Sequence, residues 1–123
     1  MELSEVARKY ESAKMRFLRE ITFIEEEYVL SKYKFKKGDI VRFKNMNYEP
    51  TLCVVDDICF LHEQRLLEYR QIIDVRVYIH GHIVDEDGYI RPFIVGGSHP
   101  RGVKFEAKDV YEITKISYKN KIR

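Results

Sequence analysis

The sequence predicts an α+β protein, in which one long N-terminal α-helix is followed by a small, strongly bent antiparallel β-barrel of five or six strands. The first glycine or proline of the chain is Gly38, so helix-compatible sequence gives way there to turn-rich sequence. Apolar residues recur every seven positions before Gly38, whereas short strand-like runs follow it. Nine tyrosines, seven phenylalanines and no tryptophan suit the pleated, half-buried surface of strands.

The amino-acid composition limits the classes to which the protein can belong. A chain of 123 residues is long enough for one modest core. Its apolar fraction of 45% and charged fraction of 34% are those of a globular protein rather than a disordered one. The acidic start and the lack of a long apolar run predict a cytoplasmic protein without a membrane partner. Two cysteines provide no disulfide framework.

Residues 1–32 are predicted to form a helical arm, with Ser4 as its N-cap. An apolar stripe marks one side of this helix. It combines residues at seven-residue spacing with those that fill the complementary positions: Leu3, Tyr10, Phe17 and Ile24, with Val6, Ala13, Ile21 and Tyr28. The β-branched Ile21 and Thr22 weaken the last turns, so residues 28–30 are open to a helical or an extended structure.

The length of this helix decides what the apolar stripe can contact. A straight helix over residues 4–30 is ~40 Å long, whereas a globule of about 90 residues is roughly 30 Å across. The helix therefore breaks near Ile21 and Thr22, lies wholly on its own barrel, or projects and packs against a partner. Under the last hypothesis, the residues that contact a second copy or another protein are Leu3, Tyr10, Phe17 and Ile24.

Residues 33–117 are predicted to form the barrel, and residues 118–123 a basic C-terminal tail. Alternating apolar and polar residues, bounded by turn residues, mark the strands. The expected strands cover residues 40–44, 52–60, 75–80, 89–95, 103–105 and 110–116.

Local features interrupt this pattern. Asp56 and Asp57 indicate a bulge or bend in the second strand. Residues 61–72 are predicted to form a short helical insertion, and residues 85–88 a tight hairpin turn. Pro92 places its strand at an edge or a bulge, because proline has no N–H to donate to a ladder.

The segment Phe35-Lys36-Lys37-Gly38-Asp39-Ile40-Val41 resembles the first strand of Src-homology-3-like small barrels, the group that includes KOW and Tudor modules. Residues 103–113 look like the last turn and strand of those barrels. The resemblance covers residues 33–117. It implies a barrel whose last strand seals against its first and which acts as a binding or scaffolding module without catalysis of its own. Small proteins of this build are common in bacteria and phages.

No metal or cofactor is expected. The spacing of Cys53, Cys59 and His62 matches no compact zinc site. Both cysteines lie in an apolar strand, where a free thiol behaves as a small hydrophobe. His80 and His82 are expected to be solvated turn residues, since no third ligand is evident near them.

Catalytic motifs are not evident either. The acidic turn at 85–88 lacks the downstream glutamate of a calcium loop. The glycine-rich residues 96–99 could bind an anion through backbone N–H groups, but no lysine-serine or lysine-threonine pair follows, which favours a flexible loop. Asp56 and Asp57 point to opposite faces of a regular strand and cannot share a site unless a bulge realigns them. The protein is therefore not expected to be an enzyme.

The most specific alternative is nucleic-acid binding at a basic edge of the barrel. The residues that would form it are Tyr33, Lys34, Lys36 and Lys37 at one end, and Lys115, Tyr118, Lys119, Lys121 and Arg123 at the other. If the last strand pairs with the first, both clusters lie at one edge, where lysines neutralise phosphates and tyrosines stack on bases. A net charge of only +2, and the ordinary role of lysines in protecting an edge strand, weigh against it. The sequence therefore favours a non-catalytic interaction module.

Overall fold

The structure is a computed structural model that describes residues 2–61 and 76–123. Its elements are α1 (Leu3–Tyr33), β1 (Ile40–Phe43), β2 (Thr51–Leu61), β3 (Arg76–Ile83), β4 (Gly102–Glu106), a 3-10 helix (Ala107–Asp109) and β5 (Val110–Ile113). One long helix followed by an antiparallel sheet confirms the predicted α+β class. The helical insertion predicted for residues 61–72 lies, beyond Leu61, outside the described residues.

The helix α1 is unbroken, so the break considered near Ile21 and Thr22 does not occur. The Thr22 hydroxyl donates a hydrogen bond of 2.9 Å to the carbonyl of Leu18 one turn earlier, which satisfies this polar group within the helix. Helical structure continues through residues 28–30 and ends at Tyr33. Lys34 then adopts a left-handed conformation, and its N–H donates to the carbonyl of Leu30.

The predicted N-cap is wrong. The N-cap is Glu2, whose carbonyl accepts hydrogen bonds from the N–H groups of Glu5 and Val6, so Ser4 lies inside the first turn. No side-chain hydrogen bond caps this end. The first turn therefore forms without the hydroxyl acceptor that a serine cap provides.

The five strands form one antiparallel sheet in the order β4-β3-β2-β1-β5. The predicted pairing of the last strand with the first is confirmed, with Val41 opposite Ile113 and Phe43 opposite Val110. The prediction of a barrel is wrong, because the sheet is open and β4 and β5 form its two edges.

The open sheet is nevertheless strongly bent. The rings of Phe43 on β1 and Phe105 on β4 stack with their centroids 3.9 Å apart. Even neighbouring strands of a sheet are ~4.8 Å apart, and β1 and β4 are not neighbours. The sheet must therefore bend to bring these two rings together. Val29 of α1 and Phe35 join the same buried cluster. The end of the helix thus supplies apolar contacts that a closing pair of strands would make in a barrel.

The opposite face of the sheet carries a second, smaller buried cluster. Alternation along β1 and β2 turns Ile40, Leu52 and Val54 to this side, where they pack with Val84. The C-terminal segment (residues 114–123) crosses this cluster, and its residues Ile116 and Tyr118 pack against it. Backbone hydrogen bonds then hold the segment beside residues 88–90, since the Lys119 N–H donates to Gly88 and the Ile90 N–H donates to Lys121.

The strand predicted at residues 89–95 is also wrong. This stretch makes only isolated bridges, which join Ile90 to Val84 and Pro92 to Pro100. Proline cannot donate to a ladder, and Ile90 is bridged in addition by the C-terminal segment. The short strand-forming signal therefore produces a loop that isolated bridges and single backbone hydrogen bonds hold in place.

Gly81 allows β2 and β3 to approach each other closely. It lies opposite Val55, and a Cβ atom built at Gly81 would be 2.3 Å from the carbonyl oxygen of Val54. Real Cβ atoms do not come this close to a backbone oxygen. Any side chain at this position must therefore push the two strands apart.

We expect Gly81→Ala to lower the free energy of unfolding by about 2–3 kcal/mol or more, because the added methyl group collides with backbone. Gly102→Ala is the matched control, since its Cβ would meet nothing closer than a backbone oxygen at 3.9 Å. Urea titrations of both variants measure the effect. Equal midpoints for the two variants would contradict the close approach of β2 and β3.

Candidate functional site

The first two-thirds of α1 project beyond the sheet. We call residues 3–24 the overhang; no residue in it is buried. The four residues predicted to contact a partner, Leu3, Tyr10, Phe17 and Ile24, all lie there and are between 58% and 87% exposed. Among the helical residues that the structure describes, no stretch has both the length and the apolar character needed to cross a bilayer. The role of these residues in association stays a prediction, but their exposure is a property of the fold.

Among the residues that the structure describes, only the last turns of α1 attach it to the sheet. Val29 is fully buried, and the ring of Tyr28 packs edge-on against Phe60 at a centroid distance of 5.4 Å. Lys37 Nζ lies 2.9 Å from the Glu26 carboxylate, and this hydrogen bond raises the pKa of Lys37. The helix is therefore anchored at its C-terminal end, while the overhang has no such support.

The basic cluster after the helix is largely occupied by contacts within the chain. The Lys36 ammonium lies 3.5 Å from Asp39, and Lys37 pairs with Glu26. Lys34 serves as the helix C-cap through its backbone, and the ring of Tyr33 lies 6.2 Å from that of Phe35. Lys36 and Lys37 thus already have carboxylate partners, which reduces the charge they offer to a phosphate.

The basic C-terminal residues have different neighbours. Arg123 donates to the Asp87 carboxylate at 2.6 Å, and its guanidinium stacks over the ring of Tyr89, 4.5 Å from the ring centre. Lys121 lies over the same ring, and the Lys119 ammonium donates to the carbonyl of Ser117. Lys115 is exposed. The nucleic-acid edge built from these residues stays a prediction.

The structure brings together three side chains that the sequence did not link. Nδ1 of His82 lies 2.6 Å from the Asp56 carboxylate, and Nε2 lies 2.7 Å from the Tyr118 hydroxyl. That hydroxyl also donates to the side-chain oxygen of Asn120 at 3.1 Å. We call Asp56, His82 and Tyr118 the histidine network. It ties the C-terminal segment to the second and third strands.

A bulge in β2 positions Asp56 for this contact. The pairing of β2 with β3 shifts register between Val55 and Asp57, so Asp56 is the extra residue of the bulge. The predicted bulge at the two aspartates is confirmed, whereas the prediction that His80 and His82 are turn residues is wrong, because both lie in β3. Strand position and bulge together turn His82 towards Asp56. The register that decides this contact is not visible in the sequence.

The chemistry of the histidine network suits a structural contact that holds the C-terminal segment in place. Both ring nitrogens of His82 are engaged, and its side chain is only 13% exposed. Burial, together with the charge of Asp56, raises the pKa of Tyr118, so its hydroxyl stays protonated at neutral pH. A protonated phenol held between two partners is a poor nucleophile. The geometry therefore supports attachment of the C-terminal segment rather than a reaction at Tyr118.

The cysteines occupy the positions that the apolar pattern predicts. Cys53 is fully buried, and burial, with a smaller contribution from the Asp56 charge, raises the pKa of its thiol far above neutrality. Cys59 is half-buried. Within residues 2–61 and 76–123 no group of three or more His, Cys, Asp or Glu side chains is arranged to hold a metal ion. His62 lies outside these ranges.

Arginines neutralise the acidic turn at residues 85–88. Arg42 of β1 makes a two-pronged contact with the Glu86 carboxylate at 2.9 and 3.2 Å, and Arg123 binds Asp87. Burial alone would raise the pKa of Asp85. The backbone N–H groups that donate to its carboxylate together have the larger effect, so the pKa of Asp85 is lowered. The carboxylates of this turn therefore link β1 and the C-terminal segment to the turn.

We expect Tyr118→Phe to lower the free energy of unfolding by about 1 kcal/mol, because the partly buried imidazole of His82 loses a hydrogen-bond partner while the ring packing is kept. Tyr111→Phe is the matched control, since Tyr111 is exposed and its ring, not its hydroxyl, contacts Lys44. Urea titrations compare the two variants. If Tyr118→Phe cost no more than Tyr111→Phe, the histidine network would not anchor the segment.

We expect the Cys59→Ser variant to show no reactive thiol in the native state at neutral pH. Its remaining cysteine, Cys53, is buried and protonated, and only the thiolate attacks a disulfide reagent. A colorimetric thiol titration before and after unfolding in guanidinium checks this. Rapid reaction of the native variant would place Cys53 at an accessible site and contradict its role in the core.

Comparison of the chain with protein-family models, with curated proteins and with solved structures found no match. The resemblance to Src-homology-3-like barrels therefore stays a prediction drawn from two short segments.

Proposed function

We propose that this protein is a non-catalytic interaction module that binds a partner helix through the apolar stripe of its overhang. The single observation that carries the proposal is that Leu3, Tyr10, Phe17 and Ile24 line one side of a helix and are all exposed. Large apolar side chains on a surface are ordinary when scattered. A continuous row of them is typical of an interaction site.

Energetics support the same proposal. An isolated helix is marginally stable in water, so the overhang gains little from its own backbone hydrogen bonds. Burying one large apolar side chain contributes ~1.5–3 kcal/mol. Covering Tyr10, Phe17 and Ile24 with a partner would therefore stabilise both the helix and the complex.

The rest of the fold provides a support for this helix. The anchor at Val29 and the Lys37–Glu26 ion pair fix the direction in which the overhang projects. On the far side of the sheet, the histidine network holds the C-terminal segment in place. A rigid base with a projecting helix presents the stripe to a partner in one orientation.

Nucleic-acid binding at the basic edge is the weaker proposal. Lys36, Lys37 and Arg123 have carboxylate partners within the chain. Its support is a shallow groove absent from the prediction, where Arg101 and Lys104 provide two basic side chains beside His80 and the acidic Asp56. Binding to single-stranded DNA that weakens steeply with salt, and is lost when Lys119, Lys121 and Arg123 are neutralised, would favour it.

Photo-crosslinking from the full chain tests the interaction function. A benzophenone side chain is placed at position 17 in the apolar stripe or, as a control, at position 46, where Met46 is fully exposed in a loop. After irradiation, in purified protein and in extract of the producing cell, we expect a discrete adduct from position 17 only. Adding Ile24→Glu should cut its yield by about tenfold, because burial of one large apolar side chain is lost.

Two results would contradict the interaction function. One is the absence of any discrete adduct from position 17 in both settings. The other is an adduct whose yield is unchanged by Ile24→Glu, since that residue shares the stripe. The identity of the adduct is a separate question, because a second copy and a different protein both satisfy the proposed function.

A further inference from the structure

We infer that the partner helix is the overhang of a second copy of this chain, and that the two helices run antiparallel. This inference rests on the proposed function and names its partner. It is carried by the distribution of charge along α1, an observation separate from the apolar stripe.

The helix is divided into a basic and an acidic segment. Residues 8–19 contain five basic side chains and one acidic one. Residues 20–27 contain four glutamates and no basic residue. The basic segment lies within the exposed overhang. The acidic segment continues from the overhang into the anchored turns.

This division favours one orientation of two paired helices. Parallel pairing places the basic segment beside its own copy and the acidic segment beside its own copy, so like charges meet along the whole interface. Antiparallel pairing places each basic segment beside the acidic segment of the partner. Charges that flank an apolar seam set the orientation of helix pairs in this way.

The charges within the chain leave this complementarity in place. Glu26 is partly offset by Lys37, and Glu25 is buried at the anchor. Glu20 and Glu27 remain exposed on the helix surface. The acidic segment therefore retains negative charge that can face Lys14 and Arg16 of a second copy.

The fold leaves room for the second helix. Ile24 and Glu25 are consecutive, so their side chains point about 100° apart around the helix axis. Glu25 faces the sheet, whereas Ile24 is exposed. Tyr28, one turn beyond Ile24 on nearly the same side of the helix, packs on Phe60. In the described part of the chain, the apolar stripe is therefore exposed from Leu3 to Ile24 and meets the sheet only at Tyr28. An antiparallel pair that crosses near Arg19 places the two sheets at opposite ends of the paired helices.

Sedimentation equilibrium of the full chain tests self-association. We expect the 14.8 kDa monomer to form a dimer as concentration rises, and Phe17→Glu to weaken dimerisation by at least about tenfold. Met15→Glu is the matched control, because Met15 is half-exposed on the other side of the helix and should change the affinity far less. A monomer at every concentration would overturn the inference; the crosslink from position 17 would then still decide the proposed function.

The direction of the salt effect tests the charge argument. Raising NaCl from about 0.05 M to about 0.5 M shortens the screening length roughly threefold. Screening weakens an antiparallel pair held by opposite charges and strengthens a parallel pair in which like charges meet. A dimer that tightens with added salt would therefore overturn the antiparallel orientation.

Spin labels measure the orientation directly. In a Cys59→Ser background, one label is attached through Ser4→Cys or Ser12→Cys, both exposed on the overhang. In an antiparallel dimer crossing near Arg19, the label-to-label distance is about 45 Å from position 4 and about 25 Å from position 12. Equal distances of about 10–15 Å from both positions would show a parallel pair. That result would overturn the inference but not the proposed function.

Discussion

Within residues 2–61 and 76–123, one long helix is attached to the sheet at one end only, and the other features of the fold follow from this attachment. Val29 and Tyr28 pack on the sheet, and an ion pair between Glu26 and Lys37 fixes the last turns. A helix of 31 residues is longer than the sheet it rests on. The helix is unbroken and does not end early. Its first two-thirds therefore carry apolar side chains that the described part of the chain does not cover. The proposed function and the orientation of the proposed pair both follow from this.

The packing of the end of α1 also explains why the sheet stays open. A sheet must bury its apolar surface, and a barrel buries its inner face by closing on itself. Here the end of α1 and Phe35 fill one face, while the C-terminal segment covers the other through Ile116 and Tyr118. The sheet bends enough to stack Phe43 on Phe105, yet its edge strands do not pair. Chain ends thus fill the space that further strand pairing would fill.

Much of the fold could be predicted from local sequence signals. The seven-residue apolar repeat defines the helix, and Gly38 marks the change to strands. The pairing of the first and last strands was implied by the resemblance to Src-homology-3-like barrels rather than by a local signal. Closure of the barrel could not be predicted, because it depends on whether the helix or another strand fills the core. The strand expected at residues 89–95 failed because Pro92 lacks the N–H that a ladder needs.

The candidate sites were predictable to different extents. The exposed stripe could be found because helical spacing and helix length are both visible in the sequence. The histidine network could not, since it needs the bulge at Asp56, the register of β3 and the path of Tyr118 across the sheet. Asp56 lies 26 residues from His82 in the sequence, and Tyr118 lies 36 residues from it. A register shift of one residue would turn His82 to the other face.

Amide hydrogen exchange, followed by mass spectrometry at several protein concentrations, shows whether a partner covers the overhang. If the overhang is covered only by a partner, amides of residues 3–20 exchange rapidly in dilute protein and become protected as concentration rises. Amides of residues 25–33 should be protected throughout, because the sheet holds these turns. Protection of residues 3–20 that is strong in dilute protein and independent of concentration would show that the chain covers its own helix, and would contradict the account.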